Sequence, residues 1–137
     1  MRLLDTRGVL VYRNVSRFLI KWESESRSQI QFKAKQFFKK YWVNHIVYEE
    51  FPVYGTRLKV DLMNMTRKIA IEVQGNQHNN YSKFFHGSRV AYWNSIRRDD
   101  IKANWVESNK FKFIELTTED IELLSYDFML EKFQVYL

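Results

Sequence analysis

Residues 57–62 read Arg-Leu-Lys-Val-Asp-Leu, and residues 68–74 read Lys-Ile-Ala-Ile-Glu-Val-Gln. Each stretch alternates apolar and polar side chains with the period of two that is typical of a half-buried β-strand. If the strands form a hairpin, Asp61 and Glu72 project from the same polar face, and the apolar residues of each strand share the opposite face. Two carboxylates that converge on a sheet form a site for a hard divalent cation. The alternative, which the spacing leaves open, is a half-exposed hairpin with ordinary surface charges.

The register of this hairpin decides whether the two acids meet. A two-residue turn within residues 64–67 would set Asp61 opposite Ala70 and make Asp61 and Glu72 diagonal neighbours, with backbones roughly 7–8 Å apart. Carboxylates at that separation can lean onto one ion, and the small side chain of Ala70 leaves room for it. A slip of one residue would send the acids to opposite faces of the sheet.

The composition limits the class of protein. The chain has 137 residues, of which 45% are hydrophobic and 17% aromatic, as is typical of one globular domain. It has no cysteine, which excludes disulfides and thiolate metal sites, and its three scattered histidines argue against a zinc site. No stretch has the apolar character of a membrane span or signal segment, so we expect no membrane association and a cytoplasmic location. The net charge of +6 favours a polyanionic partner such as double-stranded DNA.

The remaining patterns predict a single α/β domain over residues 1–137. Residues 1–25 form an N-terminal arm or a small strand pair, and a C-terminal helical region covers residues 117–137. Between them we predict a helix, three strands, a second helix and a fourth strand, in which the helices flank a mixed sheet. The predicted limits are a helix that starts at Ser26 or Ser28, strands at 46–51, 57–62 and 68–74, a helix at 90–107, and a strand at 111–116.

Each of the two long helices carries an apolar stripe that predicts its core-facing side. The first stripe comprises Ile30, Ala34, Phe37, Phe38 and Tyr41. The second comprises Val90, Trp93, Ile101 and Trp105. The lysines that lie largely off the first stripe, and that we expect on a solvated or DNA-facing surface, are Lys33, Lys35, Lys39 and Lys40.

Short motifs accompany this order of elements. Asp61 precedes the tripeptide Glu72-Val73-Gln74, a Gly-Asn-Gln-His sequence follows at residues 75–78, and Arg-Asp-Asp-Ile-Lys occupies residues 98–102. With these motifs the chain resembles the PD-(D/E)xK nuclease superfamily, in particular its very-short-patch-repair-like branch and the phage-encoded homing endonucleases of that fold. The resemblance covers residues 26–116 and implies a restriction-endonuclease-like catalytic core.

The resemblance also implies magnesium-dependent hydrolysis of phosphodiester bonds. Asp61, Glu72 and the backbone carbonyl of Val73 would hold Mg²⁺, with Mn²⁺ as a substitute, and the metal would polarise the scissile phosphate and lower the pKa of the attacking water. Gln74 stands where most members have lysine, so it can orient that water but supplies no charge. His78 is either a general base or phosphate donor, or a loop histidine that contacts the backbone.

A second departure from the superfamily lies on the first helix, where members often carry a glutamate and this chain has Gln31. Either Gln31 holds a metal-bound water, or Glu49 or Glu50 supplies the acid. The basic residues that we expect at the nucleic acid are Lys59, Lys68, Lys83, Arg98 and Lys102.

We therefore expect a metal-dependent DNA endonuclease of the homing or site-specific type. The sequence leaves open a structure-specific endonuclease for junctions or mismatches, a catalytically degenerate nucleic-acid-binding module, and a basic protein-interaction domain. The glutamines at positions 31 and 74 favour the degenerate module. Cleavage of both strands by one site per chain would call for a homodimer, although the sequence shows no obvious dimer seam.

Overall fold

The computed structural model of the protein describes residues 1–74 and 89–137. A short 3₁₀ turn, Ser16–Phe18, precedes the first helix. The elements in chain order are β1 (Arg2–Leu4), β2 (Leu10–Tyr12), α1 (Gln29–Trp42), β3 (Val47–Pro52), β4 (Lys59–Asn64), β5 (Ile69–Val73), α2 (Arg89–Ser108), β6 (Lys112–Leu116), α3 (Thr118–Glu122) and α4 (Tyr126–Phe133). None of the helices in these two ranges combines the length and apolar character needed to cross a bilayer.

The main sheet has the strand order β3-β4-β5-β6. The pairs β3–β4 and β4–β5 are antiparallel, whereas β6 runs parallel to β5, so α2 lies in the crossover from β5 to β6. Helix α1 packs on one face of the sheet and the C-terminal half of α2 packs on the other. The predicted α/β domain, with a mixed sheet flanked by helices in the order helix, three strands, helix, strand, is confirmed.

Helix α1 begins where the sequence predicts. Ser28 caps it, because its hydroxyl oxygen accepts a hydrogen bond from the backbone N–H of Gln31 at 3.2 Å. The stripe residues Ala34 and Phe38 are fully buried against the sheet. Lys35 is fully buried as well, so the prediction that places it on a solvated surface is wrong.

The apolar stripe of α2 meets the core only at its C-terminal end. Trp105 and Val106 are buried against the sheet, whereas Val90 and Trp93 are 68% and 61% exposed. The prediction that the whole stripe faces the core is wrong for the first turns. A 20-residue helix is about 30 Å long and the five-residue strand β5 about 17 Å, so the helix overhangs the sheet.

The N-terminal residues form a strand pair, β1 with β2, that packs against the domain. The pair β1–β2 is antiparallel. The Trp105 indole N–H donates to the Leu4 carbonyl at 2.6 Å, the Leu4 N–H donates to Asn109 Oδ1 at 2.8 Å, and the Tyr54 hydroxyl donates to the Met1 carbonyl at 2.9 Å. Residues 1–25 are therefore part of the body of the domain rather than a projecting arm.

The hairpin between β4 and β5 has a longer turn than predicted. Met63 pairs with Ala70, and the turn spans residues 65–68. The predicted two-residue turn, with Asp61 opposite Ala70, is wrong. Because the register differs by two residues, an even number, Asp61 and Glu72 still leave the hairpin on the same face.

Local geometry explains the longer turn. The Asn64 side-chain oxygen accepts a hydrogen bond from the Arg67 N–H at 2.8 Å, as asparagine does in many turns. Lys68, the last turn residue, has a left-handed φ of 58°. The hydrogen bond of Asn64 and the left-handed Lys68 together form a four-residue turn. The alternation of apolar residues predicts neither of them.

Candidate metal centre

An irregularity in β3 and β4 sets the position of the acids. Glu50 has a left-handed φ of 52°, and the strand register places it opposite Asp61. Leu62 packs in the core on the α1 side and Val60 in the core on the α2 side. The prediction that the apolar residues of this strand share one face is wrong, because a left-handed residue in the paired strand breaks the period of two.

Asp61 and Glu72 lie opposite each other at the end of the hairpin. The last ladder pair is Leu62 with Ile71, and one further step of the same register brings these two acids together. Residues opposite each other on an antiparallel pair have Cβ atoms about 4.5–5.5 Å apart. The pairing is closer than the diagonal arrangement that the sequence predicts.

Asp61 is almost fully enclosed, with 1% of its side chain exposed. Its Oδ2 accepts a hydrogen bond from the backbone N–H of Val73 at 2.8 Å, in place of a ladder bond. Its Oδ1 accepts one from Arg27 Nη2 at 3.2 Å. The side chain of Asp61 therefore joins the two strands where their backbone pairing stops.

Glu72 is buried with one oxygen satisfied and one not. Its Oε1 accepts a hydrogen bond from Lys102 Nζ, on α2, at 2.7 Å. Its Oε2 is buried and has no hydrogen-bond partner. An unpartnered carboxylate oxygen in the interior is costly unless it is protonated or binds a cation.

Burial shifts the ionisation of both acids. Burial, together with the neighbouring charge of Asp61, raises the pKa of Glu72 to about 8, against the opposing effect of Lys102. Burial also raises the pKa of Asp61 to about 6; the charge of Glu50 adds to this rise, and Arg27 opposes it. Both carboxyl groups therefore lose their protons only at a higher pH than usual. A bound cation would stabilise the ionised forms and lower both pKa values.

Glu50, named above as an additional acid, lies at the edge of this pair. Its Oε1 is 3.8 Å from Arg27 Nε, and its Oε2 is buried without a hydrogen-bond partner. Arg27 contacts both Glu50 and Asp61, and the charge of Glu50 contributes to the raised pKa of Asp61. The structure therefore brings Glu50 near Asp61.

Glu49 and Gln31 belong to a neighbouring buried network instead. Lys35 Nζ donates to Glu49 Oε1 at 3.0 Å and to the Ser24 carbonyl at 2.7 Å. The other carboxylate oxygen of Glu49 accepts from Ser26 Oγ at 2.6 Å and from Gln31 Nε2 at 3.1 Å. Both carboxylate oxygens of Glu49 are therefore used in hydrogen bonds within this network. Gln31 contacts Glu49 rather than Asp61 or Glu72.

Val73 and Lys102 contact the acids, and Gln74 follows Glu72 by two residues. Gln74 is buried immediately after β5, and its N–H donates to the Leu116 carbonyl at 2.8 Å. Lys102 pairs with Glu72, and the Val73 N–H holds Asp61.

The other predicted DNA contacts are spread more widely. Lys59 is exposed beside a cleft of about 420 Å³ that Glu50 also lines. Arg98 is exposed one turn before Lys102 on α2. Lys68 lies at the other end of β5, four residues or about 13 Å from Glu72, so it is not part of this centre. His78 and Lys83 lie outside the described residues.

Sequence reasoning missed Arg27 and the burial of Lys35. Arg27 precedes the cap of α1 and reaches Asp61, 34 positions further along the chain. Lys35 follows the fully buried Ala34. Neither interaction has a local signal, because each partner lies on a strand whose register the sequence does not specify.

The donor set fits a hard divalent cation. Two buried carboxylate oxygens, Glu72 Oε2 and Glu50 Oε2, have no hydrogen-bond partner, and carboxylate oxygens are the ligands that Mg²⁺ prefers. Within residues 1–74 and 89–137, no three acidic or histidine side chains are already drawn together as ligands. Asp61 and Glu72, with the backbone carbonyl of Val73, would hold the ion.

Comparison with known proteins assigns no family. No family model matches the chain, and no solved structure matches it. The chain is similar to uncharacterized protein 033L of Invertebrate iridescent virus 3, with 32% identity over 65 residues. The match covers 47% of this chain and 34% of the viral protein, so the chain spans about a third of the length of that relative.

Proposed function

We propose that the protein is a metal-dependent DNA endonuclease that hydrolyses phosphodiester bonds. The observation that carries the proposal is the buried, facing pair of Asp61 and Glu72, with Glu72 Oε2 left without a hydrogen-bond partner. Bound Mg²⁺ would neutralise charge on the scissile phosphate and lower the pKa of the attacking water. The restriction-endonuclease-like fold and a cytoplasmic site of action are parts of the same proposal.

The chain's own residues would divide the remaining work. Asp61 and Glu72 hold the cation, and Gln74, buried beside them, orients the water by hydrogen bonding. Lys102 supplies the positive charge that a lysine at position 74 would otherwise bring, because its Nζ already contacts Glu72 at 2.7 Å. The exposed side chains of Lys59 and Arg98 bind flanking phosphates.

The test is cleavage of supercoiled plasmid and of a four-way junction in Mg²⁺, Mn²⁺ or EDTA. We expect metal-dependent nicking by the wild type, and a loss of about 100-fold or more in Asp61→Asn and Glu72→Gln. Glu122→Gln, which neutralises an exposed carboxylate on α3, is the matched control and should cut normally. Cleavage that survives EDTA or Glu72→Gln would refute the proposal. Preference for the junction over the plasmid would identify a structure-specific enzyme.

The second candidate is a catalytically degenerate DNA-binding module. It is favoured by the neutral Gln74 and by the two cations, Arg27 and Lys102, that already contact the acid pair. It predicts salt-sensitive binding of duplex DNA with no cleavage in either metal. The same plasmid assay, run beside a binding assay, separates the two candidates.

A further inference from the structure

We propose that Arg27 exchanges partners during the reaction: it holds Asp61 and Glu50 when no metal is bound, and it binds a phosphate of the DNA backbone once the cation takes Asp61. This inference rests on the proposed function. It adds a residue that contacts substrate, and it makes Arg27 a competitor of the metal.

Arg27 and a metal ion would compete for Asp61, because each of its two carboxylate oxygens already accepts a hydrogen bond. Oδ2 is committed to the backbone N–H of Val73 at 2.8 Å, so it also holds the two strands together. Oδ1 is the oxygen left for a cation, and Arg27 Nη2 already donates to it at 3.2 Å. A metal ion at Oδ1 would lie next to the guanidinium, and the repulsion between their positive charges would weaken the hydrogen bond from Arg27.

The backbone around Arg27 is anchored while its side chain is accessible. Ser26 Oγ donates to Glu49 at 2.6 Å, and the Ser24 carbonyl accepts from the buried Lys35 at 2.7 Å. On the other side, Ser28 caps α1. The Arg27 side chain is nevertheless 59% exposed, so the guanidinium can leave Asp61 by rotation of its own side chain alone.

A cleft of about 420 Å³ lies next to Arg27, because Glu50, its second partner, is one of the residues that line it. The cleft has three basic side chains, Arg17, Lys21 and Lys59, and three acidic ones, Glu25, Glu49 and Glu50. A phosphodiester at the basic side of this cleft would lie within reach of Arg27, whose guanidinium can form paired hydrogen bonds with phosphate oxygens. Lys102, by contrast, is only 12% exposed and stays with Glu72.

The first test is calorimetric titration of the DNA-free protein with Mn²⁺ alone. We expect Arg27→Gln to bind Mn²⁺ about three- to tenfold more tightly than the wild type, because the Arg27 guanidinium no longer competes with the metal for Asp61. Arg27→Lys, which keeps the charge, should stay near the wild type. Arg7→Gln is the matched control, since Arg7 also pairs with a buried aspartate, Asp5, in the connection between β1 and β2. It should leave Mn²⁺ affinity unchanged.

The second test is steady-state cleavage at saturating Mn²⁺. Arg27→Gln should raise KM for DNA about tenfold while it binds the metal more tightly, and Arg27→Lys should recover part of the loss. A merely structural role would weaken both metal and DNA binding. If Arg27→Gln binds Mn²⁺ as tightly as the wild type or more weakly, the partner exchange of Arg27 is refuted, while the proposed function is not. Absence of Mn²⁺ binding by the wild type overturns the proposed function and the exchange together.

Discussion

At the scale of single residues, the acid pair makes the fold sensitive to pH. In the folded protein the pKa of Glu72 is about 8, above its ordinary value of 4.5. A group whose folded pKa is raised favours the fold while it is protonated, so this contribution is complete below about pH 4.5 and is lost as pH rises towards 8. A bound cation would offset that loss, which couples metal binding to stability.

We expect Glu72→Gln to be more stable than the metal-free wild type at about pH 9, on the order of 1 kcal/mol, and similar to it at about pH 4. The glutamine oxygen can still accept from Lys102, but it carries no charge to desolvate. Urea unfolding in EDTA at both pH values measures the difference. Glu122→Gln should show no such pH dependence, and a constant difference for Glu72→Gln would contradict the buried-charge explanation.

Lys35 gives a second prediction at this scale. Lys35→Met leaves the partly buried Glu49 without its cation, so we expect a loss of about 3 kcal/mol in the free energy of unfolding. Lys33→Met, two positions earlier on the same helix, breaks only an exposed pair with Glu122 and should cost about 1 kcal/mol or less. Equal losses in the two variants by urea unfolding would show that the buried network is unimportant.

At the scale of elements, the strands and helices follow from the sequence, but their exact pairing does not. Apolar periodicity locates α1 and β5 within a few residues, and Ser28 caps α1 at one of its two predicted starts. Alternation cannot specify the turn at 65–68, because that turn depends on one side-chain hydrogen bond and one left-handed residue.

The candidate site was predictable to a similar extent. Alternation sufficed to put Asp61 and Glu72 on one face, because an even change in register preserves the face. The left-handed Glu50 was not predictable, since nothing in its local sequence requires a positive φ. The contacts of Arg27 and Lys35 were not predictable either, because they join residues on different elements across the fold.

The left-handed Glu50 yields a prediction about β3. Glu50→Gly removes the cost of a positive φ and a buried unpartnered oxygen, so we expect a gain of about 1 kcal/mol in the free energy of unfolding. Lys59→Gly, at an exposed position on the paired strand, should instead lose about 0.5–1 kcal/mol. Urea unfolding of both variants compares them, and a loss in Glu50→Gly similar to that in Lys59→Gly would show that Glu50 is unstrained.

At the scale of the whole molecule, charge and topology point to the same surface. The 22 basic residues exceed the 16 acidic ones, and Lys59 and Arg98 are exposed on elements that also carry the acids or their partners. In the proposed function, attraction to a polyanion would bring the phosphate backbone to the carboxylate end of the hairpin, where Asp61 and Glu72 would hold the metal.

Salt dependence tests this placement. We expect the affinity for a short duplex to fall with salt, and the log–log slope to decrease by about 0.9 in Lys59→Gln and in Arg98→Gln, one phosphate contact each. Lys40→Gln, which removes an exposed charge from α1, should leave the slope unchanged. Equal effects of the three substitutions in a fluorescence-anisotropy titration would mean that binding follows net charge only.

The most direct measurement is the anomalous diffraction of crystals soaked in Mn²⁺. We expect one strong anomalous peak between the carboxylates of Asp61 and Glu72, bonded to an oxygen of each, with Arg27 turned away from Asp61. A map with no peak at this position at a saturating Mn²⁺ concentration, in which Arg27 and Lys102 still hold the two acids, would contradict the shared metal.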